Sequence, residues 1–179
     1  KAIEEYKFEL YKPQTDKQKQ ALNVCQAFNP LSTNLYLWGS CGVGKSHLAY
    51  AALRKQIMLS RKCAAIKSNQ LMRKFIINRW NVDVEKETNE RMKKFTNCEV
   101  LLIDDVGIEK TSDHSLGILY EIIDQRLMSY RNGLIITSNL SIESLSVKFG
   151  DDRLSSRLVN MCRFFYIDGE DWRFKRNSD

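Results

Sequence analysis

No stretch of this sequence approaches the roughly 18–20 consecutive apolar residues that a membrane-spanning helix needs, and its first residues lack the apolar centre of a secretion signal. The expectation is a soluble, cytoplasmic protein without a membrane partner. Cysteine is sparse: Cys25, Cys41, Cys63, Cys98 and Cys162 lie far apart, odd in number and with no C-x-x-C pair. That spacing argues against a disulfide framework or a zinc site and for reduced thiols. Neither histidine, His47 nor His114, has metal-ligating neighbours, and both read as structural. Repeats and low-complexity segments are missing, which excludes a solenoid. An initiating methionine is also missing, since the chain begins at Lys1, and we expect an N-terminal part upstream of it.

What remains is 179 residues of ordinary globular composition, 43% hydrophobic and 28% charged, enough for one domain with its own core. The formal charge of +6 leans toward polyanions but does not by itself identify nucleic acid as a partner.

The most informative stretch begins with Leu35-Tyr36-Leu37-Trp38, passes through Gly39-Ser40-Cys41-Gly42-Val43-Gly44-Lys45-Ser46, and opens into the helical pattern that starts His47-Leu48-Ala49. Apolar strand, G-x-x-x-x-G-K-S turn and helix together are the context in which this motif cradles phosphates. The glycines let backbone N–H groups turn inward, and the helix start adds unpaired donors and a positive dipole end. Lys45 supplies a mobile cation for the outer phosphates, and the Ser46 hydroxyl suits Mg²⁺. The expected ligands are ATP and Mg²⁺, held by residues 39–47.

Along the rest of the chain, Thr15 or Asp16 can cap a helix through Gln18, Ala21, Leu22, Val24, Cys25 and Phe28. That helix covers one edge of the core, or alternatively touches a nucleobase. Cys63-Ala64-Ala65-Ile66-Lys67 reads as a strand and Ser68-Asn69 as the start of a helix reaching Trp80. The charged stretch 81–97 includes a further helix ending near Phe95. Val100-Leu101-Leu102-Ile103-Asp104-Asp105 is a buried strand closed by two carboxylates. Leu116, Leu119, Ile122, Ile123 and Leu127 line one face of a long helix. Leu134 to Asn139 and Arg163 to Ile167 are the last strands. Fully apolar strands alternating with helices predict an α/β P-loop fold, a five-stranded parallel sheet sandwiched by helices. Its strand ends bring the phosphate loop, Asp104-Asp105 and Ser138-Asn139 to one rim.

At that rim Asp104 is placed to orient the metal, and Asp105 to polarise an attacking water. Aspartate is shorter than the glutamate of many P-loop ATPases, so slow turnover is expected. The Asn139 amide can sense the outer phosphate and the water. Arg153 and Arg157 lie four apart, on one face if helical, and either guanidinium could serve a neighbour's nucleotide.

Taken together, residues 39–46, Leu101-Leu102-Ile103-Asp104-Asp105-Val106-Gly107, Ile136-Thr137-Ser138-Asn139-Leu140, Arg153-Leu154-Ser155-Ser156-Arg157-Leu158 and the closing Gly169-Glu170-Asp171-Trp172-Arg173 resemble the DnaC/DnaI helicase loaders and the related IstB-type transposition ATPases. Both belong to the initiator branch of AAA+ proteins. The resemblance spans roughly residues 15–173. It implies a linker and helix over 1–30, a AAA+ domain over 31–173 without a helical lid, and a tail over 174–179. It matches Lys45 and Ser46 to Walker A, Asp104 and Asp105 to Walker B, Asn139 to sensor 1 and Arg157 to the arginine finger, with Arg153 as a competitor. No sensor-2 arginine is assigned.

The function implied is ATP-dependent assembly into a homo-oligomeric spiral or filament that holds single-stranded DNA and deposits a replicative hexameric helicase. Arg73, Lys74, Arg79, Arg91, Lys93 and Lys94 fall where the initiator branch carries a DNA-lining helix. Phe75 and Trp80 there read as core. The alternatives are an IstB-like transposition ATPase acting on duplex DNA and a nucleotide-gated interaction module with no DNA role.

Overall fold

The computed structural model of the chain describes residues 2–71, 90, 92–108, 113–128 and 133–175. Five strands, β1 (Asn34–Trp38), β2 (Cys63–Lys67), β3 (Val100–Val106), β4 (Gly133–Ser138) and β5 (Cys162–Tyr166), form one sheet in the order β2-β3-β4-β1-β5. Every pairing is parallel. Among the described residues no helix is long and apolar enough to cross a membrane.

Side chains alternate across the strands, and the central strands β1, β3 and β4 are buried on both faces. Leu35, Leu37, Val100, Leu102 and Ile135 face one layer, made by α1 (Asp16–Gln26) and α2 (Lys45–Met58). Tyr36, Leu101, Ile103, Leu134 and Ile136 face the other, made by α3 (Asp113–Met128), α4 (Ile142–Phe149) and α5 (Asp152–Met161). The helical spacing read from the sequence is realised in α3, where Leu116, Leu119, Ile122 and Ile123 are buried in that second layer. Each such side chain contributes about 1.5–3 kcal/mol by leaving water.

The helix ends explain where the chain turns. Thr15, rather than Asp16, is the N-cap of α1, its hydroxyl accepting from Gln18 N at 3.1 Å. Ala21, Cys25 and Phe28 are packed into the α2-side core, so α1 is the covering helix and its inner face is not available to a base. Gln18 is fully buried and donates from Nε2 to Asp168 O at 2.9 Å, which ties α1 to the turn after β5. The sequence reading did not foresee α4, which is capped by Ser141 and ended by Gly150 at φ 61°. Arg126 was likewise unforeseen. Its guanidinium is 1% exposed and donates to the carbonyls of Phe95, Cys98 and Gly133 at 2.8, 2.9 and 2.6 Å. It thereby satisfies the orphan carbonyls ending the helical residues 92–97 and pins them to the start of β4.

Residues 2–12 form two short 3-10 turns, Ala2–Glu5 and Phe8–Leu10, laid against α2. After β5 the described helix is the single turn α6 (Trp172–Lys175).

Candidate functional site

Parallel register puts three strand ends side by side. Ser138, the last residue of β4, pairs with Trp38 on one side and Val106 on the other. Gly39, Asn139 and Gly107 therefore leave the sheet together, and the expected rim is formed.

The 39–46 loop wraps tightly. At Gly39, φ is 148° and a β-carbon would overlap Ile167 O. At Gly44, the N-cap of α2, φ is 97° and a β-carbon would overlap the Tyr11 ring. Only glycine fits these two positions. Lys45 is buried and folds back over the loop, donating to Gly39 O at 2.9 Å and Ser40 O at 2.6 Å. Burial holds its ammonium below the usual lysine value, against the pull of Asp105 and Asp104. An anion arriving at this loop would therefore meet a cation that carbonyls now hold.

Asp104 is 2% exposed, and its Oδ1 accepts from Ser46 Oγ at 2.8 Å and from Thr137 Oγ1 at 2.6 Å. Asp105 has φ 61°, a left-handed backbone that costs an aspartate about 1–3 kcal/mol. Its N–H donates to Thr137 Oγ1 at 2.9 Å. Burial, then the Asp104 charge, pushes the Asp105 carboxyl above its ordinary value, while Lys67, Lys45 and Arg173 pull it down. A hydroxyl and a carboxylate 2.8 Å apart are the hard oxygen donors that Mg²⁺ takes, and a glycine cradle that no β-carbon could enter suits phosphate. The residues present fit both groups.

Asn139 is exposed on the same rim. Arg153 and Arg157 share one face of α5 as expected, yet both turn toward α3. Arg157 Nε lies 2.9 Å from Asp124 Oδ1, and both guanidinium groups stand over the Tyr120 ring, at 5.7 and 5.9 Å. Arg153 also pairs with Asp151 at 2.6 Å. Of the basic residues expected to track DNA, Lys93 and Lys94 are exposed on the helical residues 92–97, while Arg73, Lys74, Arg79 and Arg91 lie outside the described residues, as do Phe75 and Trp80.

The closing segment comes back onto the loop. Trp172 N donates to Gly42 O at 3.1 Å, and Arg173 Nη2 lies 2.9 Å from Cys41 Sγ. Hydrogen bonds from Arg173 hold the Asp171 carboxyl well below its usual value, at about 2. The sequence flagged this segment as a motif but not that its arginine reaches the phosphate loop.

Beside the loop is a cavity of about 460 Å³, whose lining includes Tyr6, Tyr11, Lys12, His47, Trp172 and Arg173. That volume is in the range of small-molecule sites, about 300–1,000 Å³. Tyr6 stacks on Tyr50 at 4.8 Å, Tyr11 on His47 at 5.8 Å, and Tyr11 OH donates to Val43 O at 3.2 Å. Residues 2–12 were legible only as polar chain, because their aromatics have no period.

The family model described as IstB-like ATP binding protein matches residues 1–179. The chain is 26% identical over 183 residues to the insertion sequence IS232 putative ATP-binding protein of Bacillus thuringiensis subsp. berliner, across 98% of this chain and 69% of that protein. It is similar to the crystal structure of the DnaC helicase loader, with a TM-score of 0.79 at 24% identity, covering 94% of this chain and 99% of that one. It is similar also to that of DnaI, with a TM-score of 0.79 at 20% identity over 93% of each. At such identities the structural likeness shows the fold, a P-loop AAA+ core.

Proposed function

Because this chain belongs to the family of IstB-like ATP-binding proteins, we propose that its carboxyl rim binds Mg·ATP and hydrolyses it slowly, and that the ATP-bound protein assembles on single-stranded DNA to deliver a replicative hexameric helicase. The observation that carries the nucleotide reading is Asp104 Oδ1, shared by the hydroxyls of Ser46 on the loop and Thr137 on β4. Strands β3 and β4 and the first turn of α2 converge there on one buried carboxylate.

In this reading the N–H groups of residues 42–46 and the Lys45 ammonium bind the phosphates, Lys45 giving up its carbonyl partners to do so. Ser46 and Asp104 would hold magnesium, which when bound neutralises charge between the outer phosphates. Asp105 orients the attacking water and takes its proton, with Asn139 steadying the water from the neighbouring strand. The base lies in the cavity walled by Tyr6 and Tyr11. Arg157, turned toward α3, serves the nucleotide of an adjacent subunit, so turnover depends on assembly.

The loader reading is supported by the likeness to DnaC and DnaI across nearly the whole chain. Lys93 and Lys94 are the described members of its DNA-tracking set. The second reading, a transposition ATPase on duplex DNA, is favoured by the insertion-sequence relative. Fluorescence anisotropy with single- and double-stranded oligonucleotides separates them. A single-strand preference that needs ATP and weakens steeply with salt is the loader result. Duplex preference supports the second reading, and no binding to either leaves the loader proposal without its DNA.

A further inference from the structure

The two aspartates share an organiser that lies outside both the phosphate loop and their own strand, on β4. In the β3–β4 ladder Ile103 pairs with Ile136 and Val106 with Ser138, so Asp104 and Asp105 together oppose the single residue Thr137. This bulge leaves the ladder unable to supply a regular partner for both residues. Thr137 is fully buried, and its hydroxyl makes up the deficit. A hydroxyl has one proton to give. That proton goes to Asp104 Oδ1 at 2.6 Å, and one of the oxygen's two lone pairs accepts the Asp105 N–H at 2.9 Å. One oxygen thus sets the carboxylate of Asp104 and the left-handed backbone of Asp105.

From this geometry we infer that Thr137 is a positioning residue for ATP hydrolysis, orienting Asp104 for its metal-holding role and Asp105 for its work on water. The inference rests on the ATPase reading above. Ser46 also donates to Asp104 Oδ1, whereas Thr137 reaches Asp104 and Asp105 at once. A methyl in its place takes one of these two hydroxyl donors from the Asp104 carboxylate and leaves the Asp105 amide without this acceptor.

The test compares wild type, Thr137→Val and Thr137→Ser. Thermal unfolding confirms that each is folded. Two quantities are then read: the gain in affinity for a fluorescent ATP analogue on adding magnesium, and kcat as a function of magnesium. Outer partners of metal ligands are worth about 10–100-fold. The valine variant is expected to bind the analogue in EDTA like wild type, to lose most of the magnesium-dependent gain, and to lose kcat by that factor. Serine restores both. If valine does not fold, Thr137→Ala removes the same hydroxyl without added bulk and takes its place. A valine or alanine variant with wild-type kcat and magnesium gain overturns the assignment, as does a folded serine variant as impaired as valine. A wild type that shows no turnover at assembling concentrations overturns the ATPase reading itself, and the role of Thr137 with it.

Discussion

Arg157 is already paired within its own chain, its Nε 2.9 Å from Asp124 Oδ1 and its Nη2 3.3 Å from the Tyr120 hydroxyl. A half-exposed pair of this kind contributes little to stability, so the arginine leaves it cheaply when a neighbouring subunit offers a phosphate. Arg157→Ala is expected to bind nucleotide like wild type and to lose about 10³-fold in turnover at assembling concentrations. Mixing it with Lys45→Ala protein should restore part of the rate, because one variant supplies a working phosphate loop and the other a working arginine. Turnover by the mixture no greater than the sum of the two variants alone would remove the in-trans role.

The five thiols should separate by reactivity. Burial pushes Cys25 and Cys162 up to about 12, so at pH 8 almost none of either is thiolate, the form that reacts. Cys41 is exposed on the phosphate loop. Brief alkylation followed by peptide mass spectrometry is expected to label Cys41 first, and Mg·ATP to protect it. Equal labelling of Cys41 with and without nucleotide would place the ligand elsewhere.

Tyr6 stands at the wall of the cavity beside the loop, stacked on Tyr50. An aromatic contact of this type is worth about 0.5–1.5 kcal/mol, or about 2–12-fold in Kd. Tyr6→Ala should weaken ATP by that factor while leaving inorganic tripolyphosphate unchanged. Equal loss for both ligands would mean that the cavity does not hold the base.

Arg126 tests the fold rather than the site. Arg126→Leu would strand the buried carbonyls of Phe95, Cys98 and Gly133, at a cost of about 3 kcal/mol in sum, taking the low end for each. For a chain of this length that is about 6–12 °C in Tm. A shift under 2 °C in a thermal scan would show that water replaces the guanidinium at no cost.

Much of the sheet was legible because its central strands are apolar on both faces and their ends are chemically marked. Residues 35–38, 63–67 and 100–105 read as strands from composition alone, and Gly39 to Ser46 read as a phosphate loop from spacing. What escaped notice was set by tertiary contact. Thr137 looks like one more β-branched strand residue until the bulge at Asp104 and Asp105 gives its hydroxyl two partners. Arg173 carries no local signal of its position, because it depends on the closing segment folding back to Gly42. The helix α4 is short and rich in serine, so its period was too brief to read.

Every proposed step requires phosphates to seat against Lys45 at the shared rim. The most direct test is an equilibrium titration of a fluorescent ATP analogue with magnesium against wild type and Lys45→Ala, both confirmed folded. Saturable binding by wild type that unlabelled ATP competes away, and no measurable binding by Lys45→Ala, is the predicted result. Equal affinity in the two proteins, or no saturable binding by wild type, would contradict it.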